Sequence, residues 1–281
     1  MKILLLGAQG QVGWELARRL PALGQVSATD RATLNLADPD AIRRAVREVR
    51  PEAIVNAAAY TAVDKAESEP ASAMQVNGVA PGILGEEAKR LGALLVHYST
   101  DYVFDGEKSG AYAETDTPNP LSVYGRSKLA GELAIAASGC RHLIFRTCWV
   151  YGPRGRNFLL TILKAARERP ELRVVDDQFG APTSSGAIAE ATKLALGAGR
   201  GQGIYHLSAA GRTTWHGFAL AIVEGAGLKT PVRPIPSSEY PVPARRPRNS
   251  VLDNSKLKKD LGIALPDWRD GLREVLPQVL R

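Results

Sequence analysis

Two residues four apart carry the first chemical signal in this sequence. Tyr124 and Lys128, in Tyr124-Gly125-Arg126-Ser127-Lys128, fall in a stretch that reads as helix from Ser122 to about Ser138. Residues at i and i+4 stand one above the other on a helix face, so phenol and ammonium can enter one pocket together. A free phenol titrates near about 10, too high for acid–base work at neutral pH. A nearby cation favours the phenolate and lowers that value, which makes Tyr-x-x-x-Lys an acid–base device. The spacing alone is unspecific, because a core tyrosine and a solvated lysine give the same string.

The elements around the pair narrow the reading. Lys2 to Leu6 is a continuous apolar run, as expected of a parallel strand buried on both faces. Gly7-x-x-Gly10-x-x-Gly13 follows, and Trp14 to Leu20 reads as helix. Strand, glycine turn and helix in that order make a dinucleotide site, with pyrophosphate on the helix N-terminus. A second strand, Gln25 to Thr29, ends at Asp30, an acid placed for adenosine ribose hydroxyls and so for NADH. Arg31 beside it suits the 2′-phosphate of NADPH. The two point to opposite coenzymes, and NADPH or NADH is expected. Pro39 to Val49 reads as a helix capped by Asp38, and Ala53 to Asn56 as a strand running into Ala57-Ala58-Ala59, small enough for backbone to lie against a cofactor.

Pro70 to Leu91 reads as one long helix or a pair, with Asn77 a polar residue inside it. Leu94 to Tyr98 is a strand closing in Ser99-Thr100-Asp101, whose hydroxyls should face the ligand crevice, and Leu143 to Arg146 is another. This alternation predicts an α/β fold, a Rossmann-type doubly wound parallel sheet over residues 1–152. Residues 153–281 are expected to form a smaller, mainly substrate-binding region, with parts packing back on the Rossmann core. Within it Thr230 to Arg248, with six prolines, reads as extended loop.

Composition excludes several classes. With 44% hydrophobic and 23% charged residues the chain is an ordinary globular protein, and no apolar run is long enough to span a bilayer. No targeting segment is read, so the cytoplasm is expected. The net charge of +7 is dispersed, its densest group being Arg245-Arg246-Pro247-Arg248, and few aromatics interleave with it; this disfavours nucleic acid. Cys140 and Cys148 have no metal-type spacing, and the four single histidines, His97, His142, His206 and His216, read as packed or surface residues.

In order along the chain, Gly7-x-x-Gly10-x-x-Gly13, Asn77, Thr100 and Tyr124-x-x-x-Lys128 resemble the extended short-chain dehydrogenase/reductase family. Longer strings, Val55 to Glu67, Tyr98 to Phe104, Phe145 to Tyr151 and Gln178 to Thr183, resemble a sugar-nucleotide reductase branch of it, and the resemblance spans the whole chain. It implies NAD(P)H-dependent reduction of the C4 ketone of dTDP-4-dehydro-L-rhamnose to dTDP-L-rhamnose, a step supplying cell-surface polysaccharide. Tyr124 would donate the proton, Thr100 would hydrogen-bond the ketone oxygen, and Lys128 would hold the nicotinamide ribose. The implied cofactor site is Gly7, Gly10, Gln11, Val12, Gly13, Asp30, Arg31, Asn35, Leu36, Ala57, Ala58, Ala59 and Thr61, with Tyr124 and Lys128. The implied substrate site is Thr100, Asp101, Tyr102, Phe104, Trp149, Arg246 and Asn249. Asn77 would support the active-site helix or a relay water.

Rival readings are a 4,6-dehydratase, a reductase or epimerase of another sugar nucleotide, and a non-catalytic dinucleotide-binding regulatory subunit. Tyr102 stands where the dehydratases carry a catalytic glutamate. The intact Thr100, Tyr124 and Lys128 set argues against a degenerate subunit. Some members of the branch dimerise around Mg²⁺; Glu15 and Glu190 would fall among the acids, but Gly186 stands where another is wanted. The two glutamates read as surface helix residues, no metal ligand is assigned, and a monomer or homodimer is expected.

Overall fold

The apolar runs become the strands of one parallel sheet in the computed structural model, which describes residues 1–280. The strands are β1 (Lys2–Leu6), β2 (Gln25–Thr29), β3 (Ala53–Asn56), β4 (Leu94–Thr100), β5 (Arg141–Thr147) and β6 (Gly203–His206), in the spatial order β6-β5-β4-β3-β1-β2. Alternate side chains point to opposite faces, so Ile3, Leu5, Val55 and Val96 enter one core and Leu4, Leu6, Ile54 and Leu95 the other. Helix α1 (Gln11–Arg19) contributes Leu16 to the first core. The second is covered by α2 (Pro39–Val49), α3 (Ala80–Leu91) and α4 (Val123–Ser138), through Ile42, Val46, Ile83, Leu84 and Ile135.

Asp38 caps α2 as its position suggests, accepting from Asp40 N and Ala41 N. The stretch from Pro70 to Leu91 is helical throughout but changes pitch: an α-turn over Pro70–Met74, a π-turn over Gln75–Val79, then α3. Such π-turns are uncommon and cluster at functional sites; this one contains Asn77.

The later residues divide between two places. Helix α5 (Phe158–Glu168), α7 (Trp215–Gly225) and α8 (Trp268–Val279) enclose a core of their own, including Leu159, Ile162, Phe218, Ile222, Trp268 and Leu272. In contrast β6 extends the main sheet beside β5, and α6 (Ser185–Ala198) buries Ile188 and Ala189 in the first core. The proline-rich stretch is not all loop. Val232–Ile235 pairs in parallel with Leu172–Val175, with Pro234 opposite Val174. A two-stranded ribbon is all edge, where the amide proton that proline lacks is not missed.

Candidate active site

Gly10 offers α1 no side-chain cap, so the first-turn N–H groups stay open toward the β1–α1 loop. The loop is tight. Gly7 has φ +79°, and a Cβ there would stand 2.7 Å from Ala58 N; a Cβ on Gly13 would stand 2.0 Å from Gly7 O. The glycines let strand, loop and helix pack backbone to backbone, and the uncapped N–H groups at the start of α1 fit the diphosphate of a dinucleotide. Ala57, Ala58 and Ala59 lie half-buried against the loop.

The other cofactor-site residues are more varied. Gln11 gives its Oε1 to Asn157 Nδ2 at 2.8 Å, and Val12 packs onto the sheet. Arg31, Asn35 and Thr61 are exposed. Asp30 caps its own turn, Oδ1 accepting from Ala32 N, Thr33 N and Thr33 Oγ1 at 3.0–3.1 Å, so one of its two oxygens is already engaged. Leu36 sends its side chain into the second core, which leaves only its backbone for a ligand.

Ser122 caps α4, its Oγ accepting from Gly125 N at 3.1 Å, which starts the helix one residue before Tyr124. Gly125 permits the helix to lie on the turn after β4; a Cβ there would be 2.2 Å from Tyr102 O. Asn77 holds the same helix from the other side. Its Nδ2 donates to Ser127 Oγ and Tyr60 O, both at 3.0 Å, and its Oδ1 accepts from Tyr60 N at 2.8 Å. Asn77 thus ties the π-turn, the Tyr60 loop and α4 together.

Tyr124 is half-buried, and burial pushes its phenol up to about 12, an effect that the neighbouring Thr100 hydroxyl partly offsets. A depressed phenol, as the Tyr–Lys spacing suggested, is not what this structure presents. Lys128 is buried at 2% exposure, and burial brings its ammonium down to about 8. Its Nζ donates to Tyr98 O at 2.6 Å and lies 3.1 Å from His97 Nε2. Thr100 Oγ1 donates to Asp101 Oδ1 at 2.9 Å and accepts from Tyr102 N at 3.1 Å. Asp101 keeps its other oxygen buried and unpartnered, and burial raises its carboxyl to about 6. All three groups of the acid–base set therefore meet at the carboxyl end of β4.

His97, which sequence reading passed over as ordinary packing, lies against Lys128, its Nε2 3.1 Å from Nζ. The signal was available: it is a polar residue in the middle of an apolar strand, three positions before Thr100.

The substrate candidates separate. Tyr102 meets Tyr124 edge to face with ring centroids 6.0 Å apart. Trp149 has φ +45°, rare for a bulky residue, and stacks on Trp215 at 3.5 Å between centroids. Phe104, expected to meet the sugar, is wholly buried; it stacks on Tyr112 behind the site and presents no surface to a ligand. Arg246 forks onto Asp64 at 2.8 and 2.9 Å, and Asn249 donates to Lys108 O and Gly110 O, both at 2.8 Å. Both line a cleft of about 550 Å³, with Arg246 Nη1 and Nη2 and Asn249 Nδ2 already engaged within the protein. The same cleft is lined by Arg245 and Arg248, from the densest basic group of the sequence, and by Arg212 and Phe179, to which sequence reading assigned no role.

Glu15 is not the surface acid expected. It is buried and bonded to Arg19, whose Nε also stands 3.6 Å from Glu190. Among the described residues no group of three or more His, Cys, Asp or Glu is placed to hold a metal ion, and no helix is long and apolar enough to cross a membrane.

Residues 1–281 match the family described as the RmlD substrate binding domain. A dTDP-4-dehydrorhamnose reductase of Burkholderia thailandensis is 54% identical over 285 residues, covering 96% of this chain and 96% of that protein. One from Shigella flexneri is 44% identical over 293 residues, covering 99% and 98%. The crystal structure of dTDP-4-dehydrorhamnose reductase from Bacillus anthracis in complex with NADP matches with a TM-score of 0.95 at 33% identity, over 99% of this chain and 100% of that one.

Proposed function

The chain belongs to the RmlD substrate binding domain family, and from that premise we propose that it is an NADP-dependent oxidoreductase that reduces the C4 ketone of dTDP-4-dehydro-L-rhamnose to dTDP-L-rhamnose. The observation that carries the residue assignment is the gathering of Thr100, Tyr124 and Lys128 at the carboxyl end of β4, on the sheet that bears the glycine cradle.

The bound coenzyme, NADPH or NADH, supplies the hydride. The open N–H groups of α1 and the Gly7–Gly13 loop would hold its diphosphate, and the exposed Arg31 would meet the adenosine 2′-phosphate of NADPH. Reduction makes the ketone oxygen basic, and Tyr124 Oη gives it a proton. A phenol pushed up by burial suits this direction, because it stays protonated at neutral pH until the oxygen develops charge. Thr100 hydrogen-bonds the same oxygen once its hydroxyl turns from Asp101. Tyr102 and Trp149 border the sugar. Arg212, Arg245 and Arg248 bind the diphosphate of the substrate, with Phe179 at the base end of the cleft.

Residues 1–152 carry the coenzyme and residues 153–281 mainly the sugar nucleotide, with β6 and α6 returned to the Rossmann core. The experiment is product analysis: purified protein with NADPH and dTDP-4-dehydro-L-rhamnose should yield dTDP-L-rhamnose with one coenzyme oxidised per product. A protein that binds coenzyme yet oxidises none with this ketone, while turning over a UDP- or GDP-linked 4-keto sugar, would overturn the assignment.

A further inference from the structure

The basic segment along the cleft has little regular backbone to hold it. From Pro241 to Pro247 it is irregular, and three of its seven residues are prolines, which lack the N–H that a helix or sheet would use. Its hydrogen bonds to the rest of the chain converge on Asp64. Arg246 forks onto that carboxylate, Nη1 to Oδ1 at 2.9 Å and Nη2 to Oδ2 at 2.8 Å, and Ala244 N donates to the same Oδ1 at 3.2 Å. Arg246 Nη1 also donates to Ala244 O at 3.0 Å, which closes the turn. Arg245 stands beside the clasped residue and Arg248 two positions on, both exposed and both lining the cleft.

Asp64 stands on a fixed platform. It belongs to the short helix Val63–Ala66, whose Ala66 is wholly buried. Just past that helix Glu67 Oε1 accepts from Val123 N at 2.8 Å, at the start of α4. Just before it the Tyr60 loop is tied to Asn77. The Arg246 guanidinium holds the Asp64 carboxyl below its ordinary range, so the pair is charged at neutral pH. Arg246 reaches the sugar side as well: burial raises the Tyr102 phenol, and the Arg246 charge partly offsets the rise.

We propose that Asp64 is a positioning residue for the sugar nucleotide: by clasping Arg246 and Ala244 N it holds Arg245 and Arg248 where they meet the diphosphate. The inference deepens the reductase reading and rests on it for the identity of the ligand. The sign of the Asp64 charge makes it testable. A carboxylate near a cleft that takes an anionic diphosphate repels that ligand, so by charge alone Asp64 opposes binding. Positioning works the other way, because a segment fixed beforehand does not have to be ordered by the ligand. Two parallel charge-assisted bonds fix the plane of a guanidinium rather than merely attract it. Removing the carboxylate therefore has opposite effects under the two accounts.

The test is calorimetric binding of dTDP to the full chain, which needs neither coenzyme nor turnover. Asp64→Asn keeps an acceptor for Ala244 N but loses the charge and the fork. It should weaken dTDP binding about tenfold, the scale of one charge-assisted hydrogen bond, with NADPH affinity unchanged. Asp64→Glu, which can re-form the fork, should return to within about threefold of the parent. In an Arg246→Gln background, where no guanidinium is left to clasp, Asp64→Asn should weaken binding no further, and a further loss there overturns the proposal. A parent that binds dTDP beside an Asp64→Asn protein that binds it equally or more tightly overturns the clasp and leaves the reductase reading standing; a parent that binds no dTDP overturns both. If Asp64→Asn does not fold, Arg246→Lys takes its place, since it keeps the charge without the fork. Weakening to the same degree then supports the clasp, and unchanged binding overturns it.

Discussion

Glu132 and Arg146 form a two-pronged ion pair with almost no solvent exposure, Nη2 lying 2.6 Å from Oε2 and Nε 3.0 Å from Oε1. The pair pins α4 to β5 one turn beyond Lys128. Removing one partner leaves a bare charge in the interior, a change that costs about 3–5 kcal/mol. Glu132→Ala should lose stability of that order in urea unfolding at unchanged slope. A loss below about 1 kcal/mol, the range of an exposed pair, would show that the pair is hydrated in solution.

Asp101 should make stability depend on pH. Its folded carboxyl is raised from 3.8 to about 6, so between those values the folded state binds more protons than the unfolded state. Stability therefore falls as pH rises through that window and stays lower above it, by ~3 kcal/mol for about two units. Asp101→Asn cannot ionise and escapes the loss. Its melting temperature relative to the parent should be more favourable near about pH 7.5 than near about pH 4. An equal offset at both would contradict the raised carboxyl.

Phe104 and Arg212 should respond in opposite ways. Phe104→Ala empties a buried site and should cost about 3–5 kcal/mol of stability. Arg212→Ala alters an exposed wall of the cleft and should leave stability within about 0.5 kcal/mol while raising KM for the sugar nucleotide. Urea unfolding beside steady-state kinetics separates them; a raised KM in a stably folded Phe104→Leu protein would return Phe104 to the substrate site.

Arg31 should set coenzyme choice, since Asp30 already spends one oxygen on its own turn. Arg31→Ala is expected to lower the NADPH-to-NADH ratio of kcat/KM by roughly tenfold, the scale of one charge-assisted hydrogen bond. An unchanged ratio would remove Arg31 from the cofactor site.

Much of the sheet and the acid–base set was legible because their signals are local. Apolar runs, glycine spacing, the Asp38 and Ser122 caps and the Tyr124–Lys128 interval all lie within a few residues of what they specify. Side-chain commitments made across the chain were not. Nothing near Arg246 says that Asp64, far earlier, will take its guanidinium, and nothing near Asn249 indicates the carbonyls of Lys108 and Gly110. Phe104 sits in the motif that points at the substrate, yet its ring turns into the wall. His97 looked like core packing until β3 and β4 came into register and set it between Asn56 and Lys128. The return of β6 to the main sheet, beside β5, is likewise a tertiary fact.

The most direct test of Tyr124 as proton donor is the decay of nicotinamide absorbance with dTDP-4-dehydro-L-rhamnose, parent against Tyr124→Phe, with coenzyme affinity measured on both. The account predicts rapid oxidation by the parent and a loss of about a hundredfold or more in kcat for the variant, with coenzyme binding retained. A Tyr124→Phe protein that turns over within about threefold of the parent would contradict it, because a phenyl ring has no proton to give.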